Sequence, residues 1–219
     1  MFEDPPRDPS LADPLPASPV PLLARWFDEA SAARTTRNPH AMSIATIGLD
    51  GRPRARVVLR QGFDAESGHL VFYTNRESDK GRELAKTPFA AAIFHWDAMG
   101  RQVRIEGPVV QSPDSESDAY FASRPRASQI AAWGSAQSQP IASRAAMVAN
   151  LEARAREFGD DGPPVPRPPH WGGYRLHFER IEFWIGADTR AHDRACYTRR
   201  LGPRGEGLDG GWRVERLQP

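Results

Sequence analysis

The sequence predicts a mainly β protein of the α+β class, with helices at the periphery of an antiparallel sheet that closes into a barrel. Three observations predict it. β-rich runs outnumber helical ones, they follow one another instead of alternating with helices, and Asp50-Gly51 joins two of them at the spacing of a tight hairpin. With 219 residues, 39% hydrophobic and 26% charged, the chain has material for one sizeable core, and a single domain is expected over 21–219.

Each element follows in order. Residues 1–21 hold seven prolines and no regular apolar pattern, which predicts a flexible N-terminal tail over 1–20. From 21 to 33, Leu22, Leu23, Trp26 and Phe27 share one helical face behind Pro21, the pattern of a short docking helix. Strands are expected over 41–49 and 52–61, on either side of Asp50-Gly51, and over 69–75. A polar helix over 77–86 ends before Pro88, and a strand pair spans 90–96 and 101–110. Ser112-Pro113 opens a helix through Phe121 with the serine as cap, a second covers 128–133, and 143–158, closed by Gly159, has the strongest helix propensity. The proline-rich stretch 160–170 fits neither helix nor central strand, because proline removes amide donors. Residues 174–186 then read as one continuous strand, followed by strands over 193–200 and 211–218.

Composition excludes several functions. No apolar run reaches the roughly 20 residues that cross a bilayer, and the N-terminus lacks a secretory pattern, so a cytoplasmic protein with no membrane partner is expected. Cys196 is the single cysteine, which rules out an internal disulfide or a cysteine metal cluster and suits a small hydrophobe on a strand. The 29 basic and 28 acidic residues nearly cancel, against the field a general nucleic-acid binder needs. Lys80 and Lys86 are the only lysines, so arginine abundance by itself carries no functional argument. With no HExxH, GxGxxG or GxxxxGK[ST] pattern, no metal, Rossmann or P-loop chemistry is expected.

Three clusters carry chemistry. Arg56, Tyr73, Thr74, Ser78 and Lys80 combine cations, hydroxyls and a helix start, a set that suits a phosphate monoester; solvated surface is the alternative. In YFASRPRASQ, Tyr120 and Arg124 share a helix face beside Arg126 and Ser128; this could hold an oxyanion, but the residues alone favour a helix end whose dipole the arginines complement. TRAHDR, 189–194, packs two arginines, a histidine and an aspartate together, either as a catalytic loop or as a salt-bridged turn.

Taken in order, RVVL, VFYTN, the helix with Lys80, RQVRIEG, SDAYFASRPRASQIAAWGSAQS, PRPPHWGGYR, IEFW and RAHDR resemble the pyridoxamine (pyridoxine) 5′-phosphate oxidase family over roughly 38–219. The resemblance implies a split β-barrel homodimer that binds FMN at the subunit interface. It places the cofactor contacts on Arg56, Val57, Val58, Leu59, Tyr73, Thr74 and Lys80, and on Gln102, Gln137, Ser138, Trp184 and Arg194. Substrate positions fall on Gln61, Tyr120, Arg124 and Ser128 around a phosphate, with Arg190 and His192 beside the pyridine ring and the reacting carbon as catalytic residues. The implied reaction moves a hydride from the substrate's C4′ to the flavin, and O2 reoxidises the flavin with release of peroxide.

The chain also departs from the pattern. Gln61 stands where the family has a phosphate-holding lysine, and strand alternation turns Arg60 to the opposite face. Asp79 replaces an arginine before Lys80; facing inward it would repel a phosphate. Ala191 and Ile185 replace a leucine and a glutamine without evident cost. Three readings stay open: an oxidase making pyridoxal 5′-phosphate; a relative oxidising another reduced aromatic such as a dihydrophenazine, motivated by Gln61; and a non-catalytic flavin or pyridoxal phosphate carrier, suggested by Asp79.

Overall fold

A computed structural model describes residues 10–159, 162–208 and 211–219. Helix α1 (Val20–Ala33) precedes strands β1 (Ala41–Ile47), β2 (Pro53–Leu59), β3 (Gly62–Asp64) and β4 (His69–Asn75). Helix α2 (Asp79–Lys86) leads to β5 (Phe89–Trp96), a 3-10 turn at Asp97–Met99 and β6 (Arg101–Gln111). Three helices follow, α3 (Asp114–Ser123), α4 (Arg126–Gly134) and α5 (Arg144–Phe158), then β7 (Trp171–His177), β8 (Arg180–Ile185), β9 (Asp193–Thr198) and β10 (Arg213–Leu217). Among the described residues, no helix is long and apolar enough to cross a membrane.

The sheet runs β10-β9-β8-β6-β5-β1-β2, with β3, β4 and β7 on a second path that returns to β6. Strand β6 serves both paths, pairing β8 through Arg101–Glu106 and β7 through Val109–Gln111, always antiparallel. The result is an antiparallel split barrel with peripheral helices. The change of partner falls at Gly107-Pro108. A Cβ on Gly107 would lie 2.0 Å from the His177 carbonyl oxygen, so this crossing admits no side chain.

The run expected as one strand over 174–186 is two. Phe178 donates its amide to the Gly68 carbonyl and Glu179 to Glu106, carrying the chain from its β7 partners to those of β8. The run 52–61 breaks for the same reason: the Arg60 amide bonds His40 beside β1, whereas that of Gln61 bonds Val71 on β4. A strand that changes partner keeps its apolar pattern, so periodicity does not mark the corner. The Asp50-Gly51 hairpin forms with Ile47 opposite Pro53, and Gly51 takes the positive φ of 80° that its turn requires.

Two further expectations are corrected. Ser112 does not cap α3, which starts at Asp114 with no side-chain cap, because the serine still belongs to the sheet, its amide bonding the Gly173 carbonyl. Residues 10–19 are not a loose tail: Leu11 is buried in the core and its amide reaches Asp193 at 2.7 Å. Residues 1–9 lie outside the described residues.

Helix α1 closes one end of the barrel with Leu23, Trp26, Phe27 and Ala30. Trp26 meets Phe183 edge-on at 5.1 Å and Phe27 lies 4.9 Å from Phe94, the geometry aromatic quadrupoles favour. Strands β5 and β6 alternate buried and open positions, whereas β4 and β7 are buried almost throughout. A second apolar cluster of Phe121, Ile130, Val165 and Trp171 packs with Tyr73 beside them. Among the described residues nothing covers the outer face of β5-β1-β2. Ile93, Ser43 and Val57 stand in one row, and exposure of large apolar side chains there runs from 36% at Ile93 to 66% at Val57. An apolar patch of this kind marks an interaction surface.

Candidate functional site

A cleft of about 450 Å³ opens where β2, the end of β4, α2, α3 and α4 converge. Strand β2 contributes Arg56, Val57, Val58 and Leu59, with Gln61 just past its end. Strand β4 contributes Tyr73 and Thr74, α2 Lys80, the α3–α4 region Tyr120, Arg124 and Ser128, and the following loop Gln137. Twelve of the positions singled out from the sequence therefore line one cavity. Asn75, Ala131, Ala132, Ser135 and Trp171 complete the wall. All five fall inside the segments that carry the family resemblance, although none was singled out individually.

Lys80 is 8% exposed, and its ammonium donates to Gln137 Oε1 at 2.6 Å, Thr74 Oγ1 at 3.1 Å and Ser78 Oγ at 3.3 Å. All three acceptors are neutral. Burial, with the positive charge of Arg56 nearby, holds its pKa below the ordinary lysine value against the opposing pull of the Asp79 and Glu83 carboxylates. Ser78 caps α2 through the Gly81 amide, so the helix presents its N-terminal end beside Lys80. Arg56 is fixed from behind: it donates to Glu83 Oε2 at 2.8 Å and to Thr46, whose hydroxyl bonds the same carboxylate at 2.5 Å. Thr46 and Glu83, both buried, are far apart in sequence, and nothing local pairs them.

Tyr73 and Tyr120 stack at 4.0 Å with 10° between their planes, and Trp171 lies nearly parallel to Tyr73 at 5.3 Å. Burial, reinforced by the Glu116 carboxylate, pushes the Tyr73 phenol upward, so it stays protonated at neutral pH. Arg124 lies over Trp171, 4.8 Å from the ring centre, and its buried Nη1 has no hydrogen-bond partner. Burial lowers its pKa too. Arg124 thus brings to the cleft wall a cation that the described residues leave incompletely paired. Arg126 belongs elsewhere, since its guanidinium bonds the Phe158, Gly159 and Pro163 carbonyls and closes the end of α5. Asp79 pairs with Arg82 at 2.6 Å with its side chain 58% exposed, and its carboxylate still acts on the neighbouring Lys80, favouring the charged ammonium.

The remaining positions form a second group. Gln102, Trp184 and Arg194 stand in register across β6, β8 and β9. Arg194 donates to the buried Glu182 at 2.7 and 3.1 Å and to the Gln218 carbonyl, and Arg104 and Arg180 also reach Glu182. Arg190 and His192 sit on the turn between β8 and β9. Arg190 holds a left-handed φ of 66°, uncommon for a side-chain-bearing residue and frequent at functional sites. His192 lies 4.7 Å from Trp184, and its Nδ1 accepts the Ala187 amide at 3.0 Å, which leaves the proton of a neutral ring on Nε2. None of these five lines the cleft, and neither does Ser138, next to Gln137 with a φ of 71°. In the sheet order β6, β5 and β1 separate β8 from β2.

A family profile described as pyridoxamine 5′-phosphate oxidase matches residues 28–155. The chain is 48% identical over 207 residues to the pyridoxine/pyridoxamine 5′-phosphate oxidase of Myxococcus xanthus strain DK1622, covering 94% of this chain and 93% of that one. It belongs to the pyridoxamine 5′-phosphate oxidase family. The oxidase of that name from Rubrobacter xylanophilus is 50% identical over 208 residues, 95% of this chain and 88% of its own. A second profile of the family, described as the pyridoxine 5′-phosphate oxidase C-terminal dimerisation region, matches 171–219, the segment that carries Trp184, Arg190, His192 and Arg194. Among solved structures, PhzG from Burkholderia lata 383 in complex with tetrahydrophenazine-1-carboxylic acid superposes with a TM-score of 0.82 at 32% identity, covering 94% of this chain and 95% of that one. Membership in the oxidase family makes this chain an enzyme.

Proposed function

We propose that this chain oxidises pyridoxamine 5′-phosphate or pyridoxine 5′-phosphate to pyridoxal 5′-phosphate in the cytoplasm, as a homodimer with FMN as its cofactor. The observation that carries the reading is the pair of desolvated cations in one cleft, Lys80 with only neutral partners and Arg124 with an unpartnered nitrogen. One phosphate-bearing cofactor and one phosphate-bearing substrate satisfy both. Lys80, Thr74, Gln137 and Arg56 hold the FMN phosphate, and the backbone of Val57–Leu59 borders the ring. Tyr120, Arg124 and Ser128 hold the substrate phosphate.

Bound FMN supplies the two-electron acceptor for the C4′ hydride and passes both electrons to O2, giving H2O2. Loss of that hydride from the amine leaves an imine, which water hydrolyses to aldehyde and ammonia; the alcohol also releases its hydroxyl proton and gives the aldehyde directly. The residues therefore need to position more than to activate. Arg190 and His192 do this from a second copy: the dimerisation-region match covers them, and the apolar face of β5-β1-β2 beside Val57 and Leu59 gives that copy a seat. Gln102, Trp184 and Arg194 reach the same cofactor across that contact.

Purified protein should be yellow, bleach anaerobically with pyridoxamine 5′-phosphate, and release peroxide when air is admitted. Flavin-loaded protein inert to both phosphorylated vitamers would reject the reading. A second reading is favoured by Gln61, which lines the cleft without the family's lysine charge, and by the similarity to PhzG: oxidation of a reduced phenazine-like tricycle. Bleaching by a dihydrophenazine carboxylate but by neither vitamer would select it. A carrier without turnover, the third reading, would bind FMN tightly yet release no peroxide with either vitamer.

A further inference from the structure

We infer that residues 10–12 are a strap that positions the Arg190–His192 turn, with Asp193 as its anchor and Arg216 as its clasp. The inference rests on the oxidase reading, which gives that turn its role. From Asp188 to Ala191 the turn is exposed, so its orientation is set at its ends. One end is β8. At the other, Asp193 follows His192 directly, and both of its carboxylate oxygens are engaged by distant parts of the chain.

Asp193 Oδ2 accepts the Leu11 amide at 2.7 Å, and Oδ1 accepts Arg216 Nη1 at 2.6 Å. Arg216 Nη2 in turn donates to the Leu11 carbonyl at 3.4 Å and the Ala12 carbonyl at 2.8 Å, closing a ring of charge-assisted bonds. The Leu11 side chain is 5% exposed and belongs to the main core, so the strap is held by burial as well as by polar contacts. Without the clasp, Asp193 keeps its pairing with Ile185, and the turn before it is left to its own short bonds, Ala187 to His192 and Arg190 to Ala187. Because a displacement of about 1 Å at a positioning group costs up to roughly 100-fold in rate, a small loosening is enough to matter. Asp193 and Arg216 are positioning residues: they act on the reaction through Arg190 and His192.

The test uses full-length protein carrying Asp193→Asn, Arg216→Gln or both, and protein lacking residues 1–12. Each variant should slow anaerobic flavin reduction by pyridoxamine 5′-phosphate about tenfold, with FMN per chain and the rate of reoxidation by O2 unchanged. The double variant should be no slower than the slower single one, because one clasp is broken twice. In FMN-free protein, amide exchange over 187–192 should quicken in all variants while β8 stays protected. Wild-type reduction rates together with unchanged exchange would overturn the inference. So would parallel loss of FMN, reoxidation and β8 protection, the mark of a merely structural role. A wild-type protein that is not reduced, yet whose turn loosens in the variants, would leave the strap standing and reject the substrate instead.

Discussion

The cleft and the β6-β8-β9 face use the same residue types to opposite ends. On the sheet face the buried Glu182 gathers Arg104, Arg180 and Arg194, so each of these cations has a carboxylate. In the cleft, Lys80 is buried among neutral acceptors and Arg124 keeps an unpartnered nitrogen. Charge that is already matched holds a surface in shape, whereas charge desolvated without a match waits for a ligand. Counting arginines in the sequence does not separate the two cases; their partners do.

The sharpest way to break this contrast is to exchange the losses. Lys80→Ala should weaken FMN binding by roughly 30- to 100-fold, as expected for a charge-assisted contact in a buried site, whereas Arg190→Ala should keep FMN and lower turnover at least tenfold. Flavin titration and steady-state oxygen uptake on both variants check this, and the reverse pattern would mean that the two regions are wrongly assigned. Next in size, Glu182→Gln should lower stability by about 2 kcal/mol, because three arginines lose a buried carboxylate while remaining partly solvated. Denaturant unfolding should show this loss, with the FMN affinity of the folded protein changed less than threefold. A large loss of FMN affinity at full stability would show that Glu182 is needed to orient Arg194 towards the cofactor.

Gln61→Lys restores a cation to the cleft wall and should lower KM for pyridoxamine 5′-phosphate about fivefold, a modest gain because position 61 is exposed. An unchanged KM would deprive that departure of functional meaning. The smallest effect lies outside both regions, where His69 and His177 face each other at 5.1 Å. Burial lowers the His177 pKa from 6.5 to about 4. The unfolded chain therefore binds a proton that the folded one refuses, and this contribution to stability is complete above pH 6.5 and is lost as the pH falls towards 4. His177→Gln should flatten the decline in unfolding midpoint over that window, and an equally steep decline would place the acid sensitivity elsewhere.

Much of the architecture was legible because it is local. Asp50-Gly51 dictates its hairpin, alternation marks β1, β5 and β6, and Ser143 and Gly159 bound α5, the serine accepting the Ala146 amide. What escaped depends on partners far along the chain. The corners at Arg60-Gln61 and Phe178-Glu179 are exchanges of sheet partner inside unbroken apolar runs. Leu11 packs in the core while its amide donates to Asp193 and its carbonyl accepts from Arg216, partners about 200 residues away. The cleft itself was readable in ordered motifs, since most of its lining side chains fall in them. Its internal bracing by Thr46 and Glu83 was not, and neither was the use of Arg126 to finish α5.

Strand β6 has a consequence for anyone rebuilding this scaffold. It belongs to both halves of the barrel and turns between them at a glycine with no spare room, so it acts as a ruler with marks on both sides. A one-residue insertion between Glu106 and Val109 would flip every side chain on one arm of the ruler relative to the other, leaving either Gln102 or Val110 pointing the wrong way. Insertions, tags and new chain ends therefore belong on the solvent-facing helix α5, which buries none of its residues, and never along this strand.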